Sequence, residues 1–158
     1  MPSPLVVLAV STWLLAEATS AQQVSNLPVP VGDCPVTTPT SGRAGSHLVS
    51  VVLSPDGTVV FKPGGPGFIT SDGALGMKFP WQRGISGRLT IEGRRLDADA
   101  PPLRSEVLSG YGDRGFQSSY IIFPTPGCWE VTGRVADASV TFITNVVKVG
   151  EGPSWRRP

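Results

Sequence analysis

The chain has 158 residues, a length suited to one domain. Its 13 basic and 12 acidic residues leave a formal charge of +1, too weak a field to mark a nucleic-acid or anionic-membrane binder. The 19 Gly and 16 Pro are dispersed among Val, Ile, Thr and Phe, which argues against helix and against a low-complexity disordered chain.

Residues 5–16, LVVLAVSTWLLA, are an apolar run of about a dozen residues, short of the roughly 20 that span a membrane. Small residues follow, with cleavage points at Ala16-Glu17-Ala18 and Thr19-Ser20-Ala21. This pattern predicts a secretory signal peptide over 1–21, although no Lys or Arg precedes the run. The alternative is an uncleaved segment that holds the protein at the membrane. Residues 22–45 carry Pro28, Pro30, Pro35 and Pro39, so they can be neither helix nor central strand. They read as an extended arm along a sheet edge, held by Cys34.

A domain over 46–150 follows. HLVSVVL, 47–53, and TVVFK, 58–62, are strands, and Ser54-Pro55-Asp56-Gly57 is the turn that makes them a hairpin. KPGGPG, 62–67, is a loop. Asp72-Gly73 is a turn, and Met77, Phe79 and Trp81 alternate beyond it. GRLTIEGRRL, 87–96, sets Leu89 and Ile91 on one face and Arg88, Thr90, Glu92 and Arg94 on the other, a half-buried strand. Residues 97–117 are a long connection with a short strand near Leu103–Leu108. SSYIIF, 118–123, is a strand, and CWEVTGRV and VTFITNVVKV form a last hairpin across Ala136 to Ser139. Residues 151–158 are a tail. About seven strands without helical periodicity predict an all-β, immunoglobulin-like antiparallel β-sandwich, with a Greek-key barrel as the alternative.

The two cysteines, Cys34 and Cys128, are expected to pair in an exported chain. Trp129, Val131, Gly133 and Val135 share the apolar face of their strand, so Cys128 falls on the other. The bridge is therefore expected to pin the arm to the outer face or the rim, not to cross the core.

No catalytic set is evident. His47 is the single histidine, at a strand edge, and Ser46 beside it is no nucleophile by adjacency. One His and two paired Cys do not make a zinc site, and no metal or cofactor is expected. Asp97, Asp99 and Asp113 lie in the long connection with a spacing far from a calcium loop. Glu92 and Glu130 sit on outward faces without a cleft between them. KPGGPG lacks the spacing of a phosphate-binding loop. Arg83, Arg88, Arg94, Arg95, Arg104 and Arg114 form a basic group with Trp81, Tyr111, Phe116 and Tyr120 nearby in sequence. They could line a surface for an anionic or sugar ligand. The competing reading is a solvated sheet face paired with Glu92 and Glu130.

The blocks FPWQRG, GRRLDADAPPLR, GYGDRGFQ and FPTPGCWEVTGRV, within Met77–Val147, and the upstream CPVT resemble those of a group of small exported bacterial proteins. The resemblance implies an immunoglobulin-like sandwich and bacterial origin. It implies no activity and no functional residues.

The function expected from all this is an exported, non-catalytic binding or accessory domain at the cell envelope or outside it. Its partner would be a protein or a glycan rather than nucleic acid, with no membrane contact once the signal is cut. The possible interaction surface is Tyr111, Phe116, Arg88 and Arg94. Two alternatives remain. One is a modulator or inhibitor of a partner protein acting through the 109–117 loop. The other is an enzyme using Asp97, Asp99, Asp113 and Arg114.

Overall fold

The computed structural model describes residues 32–150. The expected signal peptide, the first part of the arm and the tail lie outside the described residues.

Ten strands make up the fold: β1 (Arg43–Gly45), β2 (Val49–Val52), β3 (Thr58–Phe61), β4 (Phe68–Ile69), β5 (Leu75–Arg83), β6 (Leu89–Arg95), β7 (Arg104–Val107), β8 (Gly115–Phe123), β9 (Gly127–Val135) and β10 (Ala138–Lys148). They form two sheets. One has the order β1-β2-β5-β8-β7, with β4 added to β5; the other has the order β3-β10-β9-β6. Both sheets are open, so the domain is a β-sandwich and not a closed barrel. Strands β2-β5-β8-β7 against β10-β9-β6 reproduce the ABED and GFC order of the immunoglobulin sandwich. The count exceeds seven because β1, β3 and β4 are short additional pieces.

Three expectations are corrected. The first is the β2–β3 hairpin, because β2 belongs to one sheet and β3 to the other. The turn itself forms: Gly57 N–H donates to the Ser54 carbonyl at 2.9 Å, and the Asp56 carboxylate accepts from Ser54 Oγ at 2.7 Å. What it joins is set by the edges of β2. β1 pairs along one edge, Arg43↔Val52 to Gly45↔Ser50, and β5 along the other, Val49↔Arg83 to Val51↔Trp81, so β2 has no edge left for β3. The chain turns at Pro55 and pairs with the far sheet instead. The second correction is that β3 then runs parallel to β10, Thr58↔Asn145 to Phe61↔Lys148, so the sandwich is not wholly antiparallel. The third is that the end of the arm, Arg43–Gly45, is a strand paired with β2.

The alternation patterns otherwise translate directly into burial. Phe79 and Trp81 on β5, Leu89 on β6, Ile121 and Phe123 on β8, and Trp129, Val131 and Val135 on β9 all enter the core. The two indoles are satisfied within it. Trp81 Nε1 donates to Ser119 Oγ at 2.9 Å, and Trp129 Nε1 donates to the Thr125 carbonyl at 3.0 Å. Trp81 lies over Gly133 of the opposite sheet. A Cβ on Gly133 would stand 2.3 Å from the Trp81 ring, closer than any real contact allows.

Cys34 and Cys128 are bonded across a sequence separation of 94. Cys128 alternates with the core residues of β9 and does not belong to the core cluster, yet it is only 2% exposed. The arm itself covers it. From Cys34 the arm passes Asn145, the cross-strand partner of Cys128, and reaches the edge of β10. There Thr37 N–H donates to the Ile143 carbonyl at 2.8 Å, and Ile143 N–H donates to Thr37 Oγ1 at 2.9 Å. These bonds occupy the part of the β10 edge that β3 leaves open.

Two outcomes are expected. Gly133→Ala should lower unfolding stability in urea by about 1–3 kcal/mol, the usual cost of overpacking a core, with a change in Trp fluorescence of the folded state. A Cys34→Ala, Cys128→Ala double variant should lose ~2–4 kcal/mol, and dithiothreitol should lower the Tm of the wild type while leaving that variant unmoved.

Candidate functional site

The 109–117 region meets the β5–β6 connection at one end of the sandwich. Gly87 N–H donates to the Asp113 carbonyl at 2.9 Å and joins the two loops. Arg83, the last residue of β5, ties them more firmly. Its Nη1 donates to the Gly87 carbonyl at 2.9 Å, and its Nη2 donates to the carbonyls of Tyr111 and Gly112 at 3.2 and 3.1 Å. Arg83 is only 2% exposed. Among the described residues no carboxylate pairs with it, and its Nε has no hydrogen-bond partner. The sequence reading set Arg83 among surface arginines. Its position on β5, in alternation with Phe79 and Trp81, explains why it points inward instead.

Between the loops lies an open groove of about 560 Å³. Arg83 and Gln117 line its depth, and Arg88, Ser109, Tyr111 and Asp113 line its walls. Gln117 is nearly fully buried at 3% exposure. Its Nε2 donates to the Leu108 and Ser118 carbonyls at 2.7 and 2.8 Å, which uses both amide hydrogens. Phe116 packs edge-on against Tyr111, with ring centroids 5.4 Å apart, and is 48% exposed.

The candidate surface residues therefore divide. Arg88, Tyr111 and Phe116 come together at this end. Arg94 does not: it lies on the outer face of β6, where its Nε donates to Glu130 Oε1 at 2.9 Å. Arg134 reaches Glu92 on the same face at 3.2 Å. These are exposed cross-strand pairs of a solvated sheet face, each worth little to stability. Trp81 is core, and Tyr120 is half-buried against Phe68, at 5.3 Å between centroids. His47 and Ser46 are exposed between β1 and β2, where Ser46 Oγ accepts from the Leu48 N–H.

The loop carboxylates do not converge either. Asp113 sits at the start of β6 and Asp97 just past its end, so the length of that strand separates them. Asp99 is exposed, as is Arg114. Asp97 serves the fold. Its carboxylate takes Arg95 Nε at 2.7 Å and Nη2 at 3.3 Å, and also the N–H of Cys128 at 3.1 Å. Arg95 Nη1 goes on to Thr125 Oγ1 at 3.1 Å. Burial pushes the Asp97 carboxyl up, but the bonds from Arg95 and the Cys128 N–H outweigh it, and the group is held below its ordinary value. No signal in the sequence marked this role. Among the described residues no three His, Cys, Asp or Glu side chains gather as a metal cluster, and no helix is long and apolar enough to cross a membrane.

No family model, curated protein or solved structure matches the chain.

The Arg95–Asp97 clamp carries a pH dependence of defined sign. A carboxyl whose pKa is lowered by folding stabilises the fold above its unfolded pKa of about 3.9, and that contribution is lost as pH falls through the lower folded value. Urea unfolding below about pH 5 should show a steeper loss of stability for the wild type than for Asp97→Asn, while Asp99→Asn should follow the wild type.

Proposed function

We propose that this protein is an exported, non-catalytic immunoglobulin-like binding domain of bacterial origin, and that it meets its partner with the loop end built from residues 84–88 and 108–116. The observation that carries this reading is Phe116. Among the described residues it is the exposed aromatic, it is steadied by Tyr111, and it stands beside the groove. Aromatic side chains held rigid at a rim are the usual anchors of an interface. Loops at the end of a sandwich are also where such folds place recognition, because the sheets fix the loops without filling the space between them.

The disulfide supports an extracytoplasmic site of action. The apolar run at 5–16 and the small residues after it support export by a signal peptide. The separation of Asp97 from Asp113 weighs against a shared carboxylate site and so favours binding over catalysis.

The full secreted chain, immobilised and exposed to envelope extract and culture medium, should retain a defined set of partners. Tyr111→Ala with Phe116→Ala should lose that set while keeping the wild-type melting profile. An unchanged set would remove this loop end as the contact surface.

A further inference from the structure

We propose that the groove between the two loops binds a carboxylated sugar, which deepens the binding-domain reading above and rests on it. Four features of the groove select this chemistry. The first is charge. Arg83 is buried with no carboxylate partner among the described residues, and its Nε is unpartnered. Backbone carbonyls satisfy its Nη groups but do not neutralise it. A buried cation without a counter-ion leaves a positive field, which the groove delivers to whatever enters it. Arg88 adds a second, exposed cation at the rim.

The second feature is the orientation of the 110–112 backbone. Arg83 draws the carbonyls of Tyr111 and Gly112 toward itself. Gly110 and Gly112 adopt φ of 90° and 66°, conformations open to glycine. The planar peptide turns the Gly112 N–H away from Arg83, and the N–H groups of Gly110 and Tyr111 have no acceptor among the described residues. Two free donors on this loop favour an acceptor oxygen beside it.

The third feature is a set of acceptors. Gln117 has spent both amide hydrogens on carbonyls, so it can offer only its amide oxygen to a ligand. Asp113 offers a carboxylate on the wall. Inorganic phosphate brings only one or two hydroxyl donors to these acceptors, with its whole charge beside Asp113. A neutral sugar would use them and leave the cations without a partner. A sugar acid has hydroxyl donors for Gln117 and Asp113 and a carboxylate for Arg88, within the field of Arg83. The fourth feature is Tyr111, whose ring supplies an apolar wall for the C–H face of a pyranose. A groove of about 560 Å³ is within the size range of small-ligand sites.

The test uses the full chain, ¹⁵N-labelled and titrated separately with galacturonic acid, trigalacturonate, galactose and inorganic phosphate. Galacturonic acid should shift the amides of 86–88 and 109–113, whereas galactose and phosphate should bind at least about tenfold more weakly. Arg88→Glu should weaken galacturonic acid by about tenfold or more, while Arg94→Glu, on the sheet face, should leave it unchanged. Both residues are exposed, and the amide spectrum itself reports that each variant is folded. Tighter binding of the trimer would identify a polysaccharide as the source of the ligand; equal binding would identify a free sugar acid. Either outcome supports the proposal. Equal response to galactose, equal response to phosphate, or no shift by about 10 mM galacturonic acid would overturn it. If the titration fails while the Tyr111→Ala, Phe116→Ala pair still loses its captured partners, the loop end is a binding surface for something other than a sugar acid.

Discussion

The contact on which the sandwich depends is Trp81 over Gly133. The indole belongs to β5 and the glycine to β9, so this is where the two sheets are closest to locked. The indole fills the space that any side chain at 133 would need, and its N–H is spent on Ser119 within its own sheet. Around it the aromatic rings interlock. Phe142 lies 6.3 Å from Trp81 and 6.0 Å from Phe79 between centroids, and Phe123 bridges Phe79 to Trp129. Large rings packed against one missing side chain leave a single spacing between the sheets. That spacing, in turn, holds the ends of β5 and β6 where their connecting loop can meet the loop before β8.

In antibody-type domains a disulfide between the second and sixth main strands crosses the core at this level. Here the corresponding strands are β5 and β9, and a ring on a glycine takes the place of that bridge. The covalent link moves to the outside. Cys128 is at the start of β9, on the face away from the core, and its partner lies on the arm. Cys128 is buried and Cys34 half-buried, and the Arg95–Asp97 pair supports the bridge from the side by holding the Cys128 N–H. The division of labour is physical. Apolar packing sets the distance between the sheets, and the disulfide limits how far the arm can leave the edge of β10.

Much of this was legible along the chain, and what was missed shares a cause. Period-two alternation located the core faces of β6 and β9, including Gly133 on the inner side, because a half-buried strand has only two ways to point. The same alternation put Cys128 outside the core. Proximity in sequence misled in two places. Val49–Val52 and Thr58–Phe61 look like a hairpin, but β1 and β5 take both edges of the first, and the second pairs with β10. Arg83 and Arg94 look like one basic group, yet the first closes an inward series on β5 and the second sits on the outer face of β6. In each case the deciding neighbour lies on another strand. Residue type announces a charge; only the tertiary register says whether that charge faces water, a carboxylate or a carbonyl.

Arg83 shows what that distinction means for function. A guanidinium facing a carboxylate would be a closed ion pair, and the loop end would be electrically quiet. Three backbone carbonyls hold its position equally well but leave its charge uncancelled. The group that fixes the 109–113 loop to the β5–β6 connection is therefore also the source of the field in the groove between them. Strengthening the clamp with a carboxylate would stabilise the loops and cancel that field. The present arrangement keeps the loops ordered and leaves the charge uncancelled.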